Sequence, residues 1–127
     1  MTDVSEIYKC NFCGNAVRII GKGEGQLTCC GEIMSKLIEN TTDAATEKHT
    51  PVITKTGEGY TITVGSIAHP MEAEHYITWV ALKTEDGGLH ETYLTPGENP
   101  EIVINTSEKA TIAYAYCNKH GLWSKRE

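Results

Sequence analysis

A chain of 127 residues with 39% hydrophobic and 22% charged side chains can hold one ordinary domain, or a small one and a medium one, and its composition argues against disorder. The formal net charge of −6, with no basic stripe, speaks against nucleic-acid binding, and an anionic substrate would meet a repelling field unless a local cation corrected it. The longest mostly apolar run, YITWVAL over 76–82, is too short to span a bilayer, and the acidic, polar start MTDVSEIY lacks the basic and apolar regions of a secretory signal, so a soluble cytoplasmic protein is expected.

Residues 1–37 differ in texture from the remainder of the chain. They hold four of the five cysteines and five of the twelve glycines, Gly14, Gly21, Gly23, Gly25 and Gly31. The short apolar pieces AVRII and QLTCC flank a turn-rich GKGEG, which reads as a small hairpin-like module with too little core to fold by itself. A metal would supply the missing stability. The ligands for one are at hand: Cys10 and Cys13 in CNFC, then Cys29 and Cys30 after fifteen intervening residues. Two thiolates separated by two residues grip an ion from a tight turn, and four around one ion make a tetrahedral site suited to zinc or iron. Spacing does not separate the two metals. The adjacent pair is unlike an ordinary zinc ribbon, because neighbouring cysteines must splay to reach one ion. A Cys29–Cys30 disulfide is a remote alternative, since adjacent pairs are strained.

Residues 38–48, IENTTDAATEK, form a polar connector with no long helix. From 51 onward strand follows strand: PVITK, the cleanly alternating GYTITVGSI, then HYITWVALK, LHETYLTP, EIVINT and KATIAYAYC, separated by TGEG, EDGG and TPGENP. This spacing predicts an all-β chain whose second domain, 38–127, is an immunoglobulin-like β-sandwich.

That second domain carries five histidines and the fifth cysteine, Cys117. His49 precedes the first sandwich strand, His69 and His75 bracket HPMEAEH, and His120 follows Cys117 in CNKHG. All lie at strand ends or in loops, where a sandwich gathers functional residues. His90, inside the strand pattern LHETYL, reads as an ordinary surface or half-buried residue. A single histidine of this kind would more often be structural, so the case rests on the group. Four imidazoles and one thiolate could surround one iron, copper, nickel or zinc, and five ligands leave an octahedral position open for a small substrate. Two other readings stay open: a Cys117–His120 nucleophile pair, for which no orienting group or cleft is visible, and a buried thiol at the end of the last strand. Trp79 and Trp123 read as packing the core or the wall of the site, and Tyr114 and Tyr116 as strand packing.

Taken together, YKCNFCGN, CCGEIM, EKHTPVI, GSIAHPMEAEHYITW and CNKHGLW, in that order along essentially the whole chain, resemble the desulfoferrodoxins, the two-iron class of superoxide reductases. The resemblance implies a desulforedoxin-like module over 1–37 in which Cys10, Cys13, Cys29 and Cys30 hold a rubredoxin-type iron. It implies that His49, His69, His75 and His120 are equatorial ligands, and Cys117 the axial thiolate, of a second, catalytic non-haem iron. Lys48 matches the family's loop lysine beside the open face, and Glu47 the glutamate that can occupy the sixth position in the oxidised enzyme. The implied reaction is one-electron reduction of superoxide to hydrogen peroxide without dioxygen release, in a homodimer fed by a rubredoxin-like donor. Two rival readings use the same residues: a two-iron electron carrier, which needs no open position, and a zinc-stabilised binding module, which has no use for a five-ligand site.

Overall fold

The computed structural model describes residues 2–40, 49–65 and 70–127, and every regular element among them is a β-strand. The chain divides into two compact units, Met1–Ile38 and Glu39–Glu127.

In the first unit, β1 (Ile7–Lys9) lies between β2 (Ala16–Arg18) and β5 (Ser35–Lys36), and β3 (Thr28–Cys29) pairs with β4 (Glu32–Ile33). The strands are two or three residues long, too short for side-chain alternation to build a core. Its buried apolar side chains are Ile7, Cys10, Ile19 and Met34. The pairing departs from the sequence expectation. The pieces on either side of GKGEG do not form one hairpin with each other: the first pairs back onto β1, and the second turns at once into β4. Main-chain bonds from Ile19 to Glu6 (2.9 Å) and from Thr2 to Gly23 (2.8 Å) hold the long connection in place.

The second unit is a sandwich. One sheet has the order β10 (Glu101–Asn105), β7 (Gly59–Val64), β6 (Pro51–Lys55); the other has β12 (Gly121–Arg126), β11 (Ala110–Cys117), β8 (Ile77–Thr84), β9 (Leu89–Tyr93). Every pairing is antiparallel. Three and four strands in two sheets match the seven of an immunoglobulin-like sandwich, as expected from the spacing of turns. The inward residues alternate as a two-residue period requires: Tyr60, Ile62 and Val64 from β7; Ile102 and Ile104 from β10; Val80 and Leu82 from β8; Ala113, Ala115 and Cys117 from β11. The strand GLWSKR escaped the sequence reading because its alternation is broken, with Leu122, Trp123 and Ser124 consecutively buried. Asn40 pairs alongside Trp123, its N–H donating to Leu122 O at 2.8 Å and its carbonyl accepting from Ser124 N at 3.0 Å, so the chain enters this unit along the free edge of β12.

Candidate metal centres

The first cluster is built from two knuckles. Around Cys10, its N–H donates to Asn15 O (2.8 Å) and the N–H of Gly14 returns to Cys10 O (3.0 Å), folding the chain so that the thiols of Cys10 and Cys13 point the same way. Around Cys29–Cys30 the solution is backbone torsion: Cys30 has φ of +54°, a left-handed conformation that a residue with a Cβ seldom adopts, followed by Gly31 at +75°. This twist is what allows neighbouring cysteines to converge. The sulfurs of Cys13 and Cys29 are 3.6 Å apart, those of Cys29 and Cys30 4.0 Å, and all four lie within 4.8 Å of one another. No disulfide forms among the five cysteines.

The electrostatics suit a cation. The N–H of Cys13 reaches the Cys10 sulfur at 3.4 Å and pulls that thiol down to about 6. The neighbouring thiols of Cys13 and Cys29 push Cys30 up to about 12. Four sulfurs packed this closely can all ionise only around a positive charge, so the donor set fits a tetrahedral metal with four thiolate ligands. Iron and zinc both meet that description.

The second cluster stands at one end of the sandwich, where strand starts and strand ends meet. His49 lies two residues before β6, His75 two residues before β8, Cys117 ends β11, and His120 immediately precedes β12. Antiparallel pairing makes these neighbours: Cys117 stands opposite Ile77 on one side and opposite Gly121 on the other. The β8–β11 ladder slips at this point, Tyr116 pairing with Trp79 but Cys117 with Ile77, so that Thr78 is the extra residue of a bulge. Bulges beside functional sites commonly re-aim a side chain. The turn at 118–120 closes through Gly121, whose φ of +86° favours glycine.

Four side chains converge here. Nε2 of His49 is 3.0 Å from Nδ1 of His120, which is 3.8 Å from Sγ of Cys117. The rings of His75 and His120 meet edge to face at 5.0 Å. One donor atom from each of His49, His75, Cys117 and His120 lies within 4.8 Å of the others. Cys117 is fully buried and His49 nearly so, whereas His120 is exposed, so among the described residues the cluster is rooted in the core and reaches the surface at His120. Imidazoles and a thiolate are donors that iron accepts.

Trp123 holds this arrangement from behind. Its ring stacks on His49 at 4.6 Å and 15°, and its Nε1 donates to His120 O at 3.1 Å. It is the wall of the site that its sequence position suggested, whereas Trp79 stacks on Tyr116 instead. His90 lies on β9 opposite Leu82 and is not part of the cluster. His69, Glu47 and Lys48 lie outside the described residues.

A four-thiol unit joined to an all-β sandwich with a histidine–cysteine cluster is a protein built for two metal ions. The family model for desulfoferrodoxin matches residues 41–126, and that for the desulfoferrodoxin N-terminal domain matches residues 2–37. A desulfoferrodoxin of Syntrophotalea carbinolica is 47% identical over 124 residues, covering 98% of each chain, and one of Nitratidesulfovibrio vulgaris is 48% identical over 123, covering 97% of each. The crystal structure of the superoxide reductase from Treponema pallidum superposes with a TM-score of 0.80 at 30% identity, covering 95% of this chain and 97% of that one. The chain belongs to the desulfoferrodoxin family.

Proposed function

We infer that the chain is a superoxide reductase carrying two non-haem irons, one held by Cys10, Cys13, Cys29 and Cys30, the other by His49, His69, His75, His120 and Cys117. The observation that carries this is the second cluster: donors from His49, His75, Cys117 and His120 within 4.8 Å of one another, buried at Cys117 and exposed at His120. Similarity to a solved superoxide reductase over nearly the whole chain supports it. A ferrous iron held there would supply the one electron that superoxide needs, and two protons from solvent would complete hydrogen peroxide. Cys117 contributes the electron-rich donor from the core side, while the exposure of His120 leaves a small anion and water able to approach.

The test is to mix the reduced, iron-loaded protein rapidly with superoxide and count products. Peroxide without dioxygen, with one ferrous centre oxidised per superoxide, is expected. No reaction beyond the uncatalysed background would leave an electron carrier with the same ligands.

Lys48 is proposed as the local cation that offsets the net charge of −6 for an anionic substrate. Replacing Lys48 by alanine should slow superoxide capture by up to about tenfold at low ionic strength, with the difference shrinking as salt screens the field. An equal rate at low salt would remove Lys48 from the mechanism. Glu47, next to it in sequence, is the carboxylate proposed to close the site after turnover and favour peroxide release.

Two partners belong to this proposal. A rubredoxin-like protein is the electron donor. A second copy of the chain is the other, as the family resemblance implies. The reduced thiols of the two clusters suit the cytoplasm.

A further inference from the structure

We propose that Asn118 is a positioning residue for His75, tying the loop that carries this ligand to the turn that carries Cys117 and His120. The inference rests on the reading of His75 as a metal ligand.

Three hydrogen bonds carry it. The N–H of Asn118 donates to Tyr76 O at 3.2 Å. Its side-chain Oδ1 accepts from the N–H of Tyr76 at 2.9 Å, and its Nδ2 donates to Glu74 O at 3.0 Å. The residues on either side of His75 are therefore both gripped by one side chain. From the other direction His75 is paired across a tight turn with Glu72, N–H to carbonyl both ways, at 3.0 and 3.1 Å. The backbone at 74–76 is thus held from both sides, with the imidazole left to face the cluster.

The residue type matters. A carboxamide offers one acceptor and one donor at fixed separation, which suits a backbone N–H and a C=O two residues apart. Aspartate has only acceptors, and serine or threonine is too short to reach both. The place matters as well. The regular β8–β11 ladder slips at Tyr116–Cys117, just before the cluster. Beyond the slip, Asn118 continues the pairing with its main chain and side chain together. Without it, the segment that aims His75 would be joined to Cys117 chiefly through Ile77.

Partners that orient metal ligands typically change metal affinity by 10- to 100-fold when removed. Asn118 holds the backbone of the residues on either side, Glu74 and Tyr76, and not the His75 ring, so about tenfold is expected, the lower end of that range. The measurement is titration of the metal-free full-length chain with cobalt(II) against a competing chelator. Thiolate-rich absorption reports the four-cysteine site, which serves as internal reference. Asn118→Ala should bind cobalt about tenfold more weakly at the histidine–cysteine site and unchanged at the reference site. Asn118→Asp, which keeps the side chain's shape but sets a second acceptor against Glu74 O, should weaken the same site, and it replaces the alanine variant if that one does not fold. Undiminished cobalt affinity, or an equal loss at both sites, overturns the proposal. Failure of the wild-type chain to bind a second cobalt would instead overturn the reading of the histidine–cysteine cluster as a metal site.

Discussion

Replacing Cys117 by serine should lower the rate of superoxide reduction by more than about a hundredfold, since disturbing even the outer partners of metal ligands costs up to that much. The sulfur occupies a position that only this chain path could give it. Ala113, Ala115 and Cys117 alternate inward along β11, and the last of them reaches the end of the core at the point where the β8 ladder slips. The thiol is 0% exposed and 3.8 Å from Nδ1 of His120. A serine hydroxyl there is a harder, far less acidic donor that does not readily ionise to bind iron, and it lacks the polarizable electron density of a thiolate. The fold should survive, because the change is small and its cost is that of a buried hydroxyl with poor partners, about 1–3 kcal/mol. Far-UV circular dichroism should therefore be unchanged, and the four-cysteine iron retained, while the thiolate-to-iron charge-transfer absorption of the second site disappears. His90→Ala, on β9 and away from the cluster, is the control and should react as the wild type does. A serine variant that kept most of the wild-type rate would show that Cys117 is core packing and not a ligand.

The chemistry of both clusters could be read from the sequence because it is written in residue types. Thiols and imidazoles at strand ends have few other uses in combination, so Cys10, Cys13, Cys29 and Cys30 read as one set and His49, His69, His75, His120 and Cys117 as another, of which His69 lies outside the described residues. The sandwich could be read for a different reason: strands such as GYTITV bury every second residue, and the period shows. Three things did not show. The pairing in the first unit was misjudged because strands of two or three residues carry no period to fix register, so GKGEG looked like a hairpin turn. The last strand was missed because Leu122, Trp123 and Ser124 are buried in succession, Trp123 against His49 and Ser124 against Glu39 through a 2.5 Å hydrogen bond. Asn118 carried no signal of its own, since an asparagine in a turn is ordinarily there for its backbone preferences. Its bonds to Glu74 and Tyr76 join segments more than forty positions apart, which local pattern does not reveal.

Exchanging both Cys13 and Cys30 for serine should unfold the first unit and leave the reaction at the second site intact. These two cysteines are exposed, so their replacement removes almost nothing from the core, and any loss of order must come from loss of the metal. That loss should be decisive. Chains below about 40 residues usually need a metal, disulfides or association to stay folded, and residues 1–38 bury only a handful of apolar side chains around Ile7, Ile19 and Met34. A structural metal site contributes on the order of 10 kcal/mol, more than such a core can replace. Amide exchange in β1 and β2 should accelerate by at least about a hundredfold, and limited proteolysis should cut within the first unit while sparing β6 to β12. Reduced chemically, the same variant should still convert superoxide to peroxide at the wild-type rate, because the second cluster's described donors, His49, His75, Cys117 and His120, all lie in the other unit. Persistent order in β1 would mean that the unit holds together without its metal. A slowed reaction in a variant whose second iron is intact and fully reduced would mean that the four-cysteine iron takes part in the chemical step.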